Sequence, residues 1–307
     1  EEKRLNEMKI GIVTVTYNSE HVLDDFFKSI QQQDYKNFLL FFIDNASSDK
    51  SVEHIKSWDF PNKVLVENEQ NLGIATGNNQ GIKLAVENDC DFVLLLNNDT
   101  VFEASLLSKL LNTQSKYSSS VVVPKMNYFS PPNKIWYAGG FYNRNKAFLN
   151  YHRGQGELDN QQYNQDDIVD YAPSCCVLIH KKVFEDIGNM DEKYFVYFDD
   201  ADFFYRLKLD KRHKIRYMHD VEFFHKIGSL TKSRSSEGSN YYSEFFIKQN
   251  CKNHVYFLKK NQPRFLFIFL IQLWLYMTLR FFFSSNFEKK WSTFKLIQSS
   301  YFRGLKM

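Results

Sequence analysis

The chain has 307 residues, enough to bury a large core in one large domain or two smaller ones. Only 12 glycines and 6 prolines, beside 43% hydrophobic residues, exclude a collagen-like or broadly disordered chain. The net charge of +3 is unevenly spread: residues 203–307 carry 20 Lys and Arg against 6 Asp and Glu, a net of +14, which leaves −11 for residues 1–202.

Residues 1–9 are mostly charged, so no signal peptide is expected there, and Met8 reads as the natural start. Residues 10–16 are apolar and β-branched, the pattern of a buried strand. That strand ends at Tyr17-Asn18-Ser19, where Ser19 can cap a helix through Val22, Leu23, Phe26, Phe27 and Ile30. A second strand over 38–43 runs into the polar turn from Asp44 to Asp49, then a short helix over 51–58 and a third strand over 64–66. Asn71-Leu72-Gly73 opens a helix reaching Val86, and the run Phe92-Val93-Leu94-Leu95-Leu96 ends in Asn97-Asn98-Asp99-Thr100. An unbroken apolar run that stops at a carboxylate reads as a buried parallel strand presenting it to a crevice. Repeated β-α units predict an α/β fold, a mostly parallel sheet flanked by helices with its ligand at the strands' C-terminal ends. Neither G-x-G-x-x-G nor a Walker loop is present, which argues against a dinucleotide oxidoreductase or a P-loop enzyme.

A second acidic feature lies about a hundred residues on. Tyr197-Phe198-Asp199-Asp200-Ala201-Asp202 packs three carboxylates into four positions. Self-repulsion makes such crowding costly unless a metal, a cation or a shared proton relieves it. One acidic site for a metal and another for proton abstraction suit an enzyme that moves a group from a diphosphate donor. The alternative is an acidic first helical turn favoured by the helix dipole. Cys90, Cys175, Cys176 and Cys251 have neither zinc-ligand nor disulfide spacing and read as reduced core residues of a cytosolic protein.

These segments together resemble family 2 glycosyltransferases of the GT-A fold, most closely the rhamnosyltransferase-like group of bacterial surface polysaccharide synthesis. The motifs are Val13 to Asn18, Ile43 to Asp49, Asn71-Leu72-Gly73 with Asn78 to Gly81, and Leu96 to Thr100. They continue through Ser174 to Ile179, Phe184 to Gly188, Asp191 to Phe195, Asp199 to Arg206, and His225-Lys226-Ile227-Gly228-Ser229. The match implies a GT-A domain over 9–230, with a nucleotide-binding half over 9–100 and an acceptor and catalytic half over 101–230. A basic, aromatic helical region over 231–307 follows.

The resemblance implies a role for each motif. Thr14, Thr16 and Tyr17 would hold the nucleotide, and Asp44 would bond the pyrimidine base, unless it only caps its own turn. Asn71, Gly73 and Asn78 would line the donor pocket, or merely form a helix entry, with Asn97 and Asn98 beside them. Asp99 matches the last Asp of the family's D-x-D metal motif, but Asn97 stands where its first Asp is usual, so the site has one fewer negative charge. Asp99 with His225 would hold Mn²⁺ or Mg²⁺, His219 being the competing imidazole. Asp200 would be the general base, with Asp199 and Asp202 binding acceptor hydroxyls or shaping the helix start. Asp199 replaces a glutamate usual in the family.

The implied activity is inverting transfer of a sugar, rhamnose first, from a dTDP- or UDP-sugar to a growing glycan or its lipid-linked precursor. The Asp-Asp-Ala-Asp form also resembles galactofuranosyltransferases, and Asn97 keeps an inactive nucleotide-sugar-binding subunit in view. A nucleotidyltransferase would need a Gly-rich phosphate loop that the chain lacks. No nucleic-acid partner is expected; a homodimer is possible. Residues 229–240 read as a lid. Residues 265–283 could span a membrane, pack as a core or oligomer helix, or lie in the interface of an anionic membrane. The expected location is cytoplasmic, peripheral at the inner face of the bacterial plasma membrane.

Overall fold

A computed structural model describes residues 5–226 and 241–307; the expected lid and the motif residues Ile227-Gly228-Ser229 lie outside the described residues. The first half forms as its pattern dictates: β1 (Ile10–Thr16), α1 (Leu23–Gln31), β2 (Phe38–Asp44), α2 (Ser51–Ser57), β3 (Lys63–Glu67), α3 (Ile74–Glu87) and β4 (Phe92–Leu96). In α1 the apolar spacing turns Leu23, Phe26, Phe27 and Ile30 inward. Ser19 does not cap that helix. Its hydroxyl instead accepts from the Tyr17 N–H at 3.2 Å and from the Asn98 amide at 3.2 Å.

β1 lies between β2 and β4, and β2 pairs with β3, all in parallel, so the ends of β1, β2 and β4 open on one side. Helix α3 lies close against β1 because Gly81 has no side chain: a Cβ there would meet Val13 at 2.2 Å.

The second half is richer in strand than the periodicity suggests. It holds β5 (Thr100–Phe102), α4 (Leu106–Tyr117), β6 (Val121–Pro124), β7 (Met126–Tyr128), β8 (Ile135–Tyr137), β9 (Gly140–Asn143), β10 (Leu149–His152) and β11 (Asp167–Val169). Then come β12 (Cys176–His180), α5 (Lys181–Ile187), α6 (Asp199–Asp210), β13 (Ile215–Met218) and β14 (Phe223–His225). The large sheet has the order β11-β13-β6-β12-β4-β1-β2-β3. The expected parallel character holds from β4 to β3, whereas β12 runs antiparallel to both β4 and β6. Its chain arrives from a series of short strands rather than from a helical crossover, so nothing forces it parallel. A small sheet, β5-β14-β7-β8, sets His225 opposite Thr100, and the Lys226 N–H bonds the Asp99 carbonyl at 2.8 Å.

Helices α7 (Glu244–Asn261), α8 (Leu266–Phe283) and α9 (Trp291–Lys306) complete the described chain. Val255, Phe257 and Leu258 of α7 join the same hydrophobic core as the sheet. The polar side of α7 carries a buried ion cluster. Asp202, fully buried, accepts from Lys260 at 2.7 Å, Arg206 at 3.0 Å and Asn261 at 3.1 Å, and Lys260 also reaches Asp191 at 2.8 Å. Lys260→Met should therefore lower stability by about 1.5–3 kcal/mol, the range for a hydrogen bond to a charged group, with Arg206 still in place. Urea denaturation of the variant checks this; an unchanged midpoint would show that Arg206 alone neutralises Asp202.

Candidate active site

The strand ends and the start of α6 meet in one cleft. Tyr17 follows β1, Asn97 and Asp99 follow β4, and Asp199 and Asp200 open α6. His225, Trp136, Tyr171 and Ser174 complete its lining. The cleft holds about 410 Å³, within the range of small-molecule sites.

The two acidic features are built differently. Asp99 stands 3.2 Å from Nε2 of His225, both largely buried, and the imidazole packs edge-on against Trp136 at 4.5 Å. Next to them, His152 bonds the Trp136 carbonyl, and burial pulls its pKa down to about 4, so it stays neutral. His219, the competing imidazole, is taken by Asp166 at 2.8 Å and does not line the cleft.

The second feature begins with strain. Tyr197 and Phe198 both take positive φ, 64° and 70°, a conformation that costs on the order of 1–3 kcal/mol per residue for side chains of this kind. Asn253 of α7, fully buried, holds that turn by donating to the Val196 and Tyr197 carbonyls at 2.9 Å each. The turn sets Asp200 into the cleft, where it accepts from the Tyr171 hydroxyl at 2.8 Å. Burial raises the Asp200 pKa, and the Tyr171 hydroxyl with the Ala201 and Ser174 N–H groups only partly opposes this. Asp199, more deeply buried, is raised well above the usual carboxylate range by burial and then by the Asp200 charge. Tyr171 itself is raised by burial and by Asp200, so it remains a proton donor to the carboxylate.

Six of the residues singled out in the sequence thus come together: Tyr17, Asn97, Asp99, Asp199, Asp200 and His225. The others do not reach the cleft. Asp202 is consumed by its ion cluster, so it has no lone pair facing an acceptor. Asn98 is buried and ties β4 to β1 through the Val15 carbonyl and Ser19. Asn78 is buried against Met190. Asn71 accepts from the Gly73 N–H, while Gly73 takes φ 85° and lets the Phe195 carbonyl approach where a Cβ would clash at 2.4 Å. Thr14 is buried inside β1, and Thr16 spends its hydroxyl on Asp44 at 2.8 Å. Asp44 also accepts from the Ser47 hydroxyl and N–H at 2.6 and 2.9 Å; at 1% exposure it serves its own turn here and offers no open face to a base.

Tyr171, Trp136 and Asn253 escaped the sequence reading. No spacing rule links a tyrosine to a carboxylate 29 positions away, or a helix amide to a turn 56 positions earlier. Tyr171→Phe removes a hydrogen bond that favours the charged carboxylate, so the Asp199–Asp200 pair should hold its proton to higher pH. The acid limb of activity should accordingly move to higher pH, read from kcat/KM against pH; a shift toward lower pH would show that Tyr171 does not stabilise the charged carboxylate.

The glycosyl transferase family 2 model matches residues 11–188, more than half of the chain. The chain belongs to glycosyl transferase family 2. This family 2 chain is 25% identical over 203 residues to the low-salt glycan biosynthesis hexosyltransferase Agl10 of Haloferax volcanii, covering 65% of this chain and 61% of that protein. It therefore spans about three-fifths of the length of that relative. The fold superposes on Staphylococcus aureus TarS 1–349 in complex with UDP-GlcNAc with a TM-score of 0.63, at 17% identity, over 95% of this chain and 79% of TarS. GalNAc-T7 with UDP, GalNAc and Mn²⁺ gives a TM-score of 0.60 at 14% identity, over 82% of this chain and 47% of that one. The helix-flanked mixed sheet is thus a GT-A fold with a helical C-terminal region.

Proposed function

We propose that this family 2 glycosyltransferase moves a hexose from a nucleoside diphosphate sugar to a growing glycan or its lipid-linked precursor, with inversion at the anomeric carbon. The observation that carries this reading is that Asp200 and the Asp99–His225 pair face one cleft. One cleft could then hold a base and an anchor for the leaving diphosphate around a single substrate. The acceptor hydroxyl attacks the anomeric carbon as its C–O bond to the diphosphate breaks, and the proton passes to Asp200. A raised pKa suits this role, since a carboxylate nearer neutrality accepts a proton more readily. Tyr171 keeps the carboxylate aimed. Tyr17 and Asn97 flank the strand ends where an α/β sheet takes its nucleotide.

The donor set at Asp99 fits a divalent cation. The 3.2 Å between its ligand atom and that of His225 is close to the roughly 3 Å between neighbouring ligands on an octahedral ion with bonds of about 2.1 Å. Among the described residues no three His, Cys, Asp or Glu side chains form a fuller cage, so donor oxygens and water would complete the shell. One carboxylate and one imidazole suit Mn²⁺ or Mg²⁺, and such an ion neutralises charge on a departing diphosphate. The presence of Mn²⁺ together with UDP in the GalNAc-T7 structure supports the same assignment.

UDP is the nucleotide in the TarS complex, and rhamnose is the sugar that the sequence resemblance implies, so UDP- and dTDP-hexoses are the donors to test. A thermal-shift panel of these sugars with Mn²⁺ reads binding directly, because a ligand at a hundred times its Kd stabilises by about 2.7 kcal/mol. Donor hydrolysis by the purified chain must accompany the shift. Binding without hydrolysis or transfer would favour a donor-binding subunit, the reading that Asn97 supports.

A further inference from the structure

Helix α8 has two unlike sides. Phe269, Leu273, Met277 and Phe281, four residues apart, are buried. The helix is fastened to the rest of the chain by Gln272 to the Asn145 carbonyl at 2.5 Å, Arg280 to the Tyr242 hydroxyl at 3.0 Å, and Trp274 to Gln298 at 2.7 Å. The opposite side is exposed and mostly apolar: Phe267, Ile271, Leu275, Leu279 and Phe282 follow one another along a single stripe, with Trp274 and Thr278 on its edge beside Gln298 of α9. Phe267 is 74% exposed and the terminal Phe283 is 84% exposed, far beyond the scattered apolar residues normal on a surface.

The charge around this stripe has one sign. Residues 245–307 hold 11 Lys and Arg against a single acidic residue, Glu288, which is itself paired with Lys290. Arg264 precedes the helix, and Lys289, Lys290 and Lys295 follow it, all exposed. On the neighbouring surface, burial and, after it, the charges of Lys248 and Arg303 hold the Lys252 pKa below its ordinary value. Trp291, 67% exposed at the start of α9, adds an aromatic of the kind that favours a membrane–water boundary.

We propose that the exposed stripe of α8, with the cations at its ends, docks in the plane of an anionic phospholipid surface. By length and composition α8 could cross a bilayer, but a spanning helix would have to give up its buried side and the three side-chain anchors. Lying in the interface keeps all of these and buries only the free face. A second copy of the chain is a poorer occupant. A two-fold contact through this face sets the same patch against itself, and hence the same cations against each other. The inference is independent of the sugar donor. It also has a use for the enzyme, since Leu149 and Asn250 line both the catalytic cleft and the cavity under Tyr276 and Met277 of α8, so the docked face backs onto the site.

The test is co-sedimentation of the full chain with phosphatidylcholine vesicles, with and without phosphatidylglycerol, at low and high salt. Binding should need the anionic lipid and weaken with salt. Replacing Lys289, Lys290 and Lys295 by serine should reduce the partition coefficient by about fivefold for each cation lost. Phe267→Ser with Ile271→Ser and Leu275→Ser should abolish binding while the thermal shift with UDP-sugar persists. Should that variant fail to fold, quenching of wild-type tryptophan fluorescence by bromine-labelled acyl chains, lost in Trp274→Phe with Trp291→Phe, reads the same insertion. No vesicle binding at low salt would overturn the proposal. So would wild-type binding by both serine variants, or a solution dimer that the apolar variant splits.

Discussion

Asp200→Asn is expected to bind donor as the wild type does and to lose turnover by roughly 10²–10⁴, the usual contribution of a positioned base. The amide keeps the shape of the carboxylate and can still accept from the Tyr171 hydroxyl, which bonds Asp200 at 2.8 Å. What it cannot do is take a proton. The loss should therefore fall on kcat, with KM for the donor little changed. Asp202→Asn should behave in another way. Asp202 is fully buried and neutralises Lys260 and Arg206, so its loss should appear in the denaturation midpoint before it appears in the chemistry. Equal activity of Asp200→Asn and wild type, with Asp202→Asn inactive, would exchange the two assignments.

That contrast shows what the linear pattern could and could not convey. Three carboxylates in four positions announced a site, but not which of them faces it. The choice is made by a turn in which Tyr197 and Phe198 are held at positive φ, and the residue holding it, Asn253, sits on a helix outside the motif-bearing segment. A side-chain amide bonding a distant carbonyl leaves no periodic trace. The parallel half of the sheet was legible because strands β1, β2 and β4 are apolar runs that end in polar turns. The short strands β7 to β11 were not, since three or four residues are too few to display alternation. Asp44 and Asn98 illustrate the same limit from the other side. Each is a polar residue at a strand end, and such a residue can serve a ligand or the scaffold; the hydrogen bonds to Ser47 and Thr16 give Asp44 to its own turn, and those to Ser19 and Val15 give Asn98 to the junction of β4 with β1. Asn97 and Asp99 flank Asn98 and face the cleft, so neighbouring residues of one motif divide between scaffold and site.

Asp99→Ala should abolish transfer outright and weaken donor binding as well, a double effect that separates it from Asp200→Asn. Asp99 is the one carboxylate of the β4 end that faces the cleft, and its position next to His225 is fixed by the small sheet, where β14 pairs with β5. With Asn97 neutral, no neighbouring acid on that strand end can take over. Removal of divalent ions by EDTA should reproduce the loss in the wild type, and added Mn²⁺ should restore it there but not in Asp99→Ala. His225→Ala should fall between wild type and Asp99→Ala, since on the proposed reading it removes one ligand and leaves the charge. The measurement is donor hydrolysis and donor-induced thermal shift on the same samples, because a ligand for the diphosphate acts on both ground-state binding and the leaving group. Full turnover in EDTA, together with an unaltered donor shift in Asp99→Ala, would assign the Asp99–His225 contact to holding β14 on the strand end. Stabilisation of the departing diphosphate would then fall to groups other than this pair.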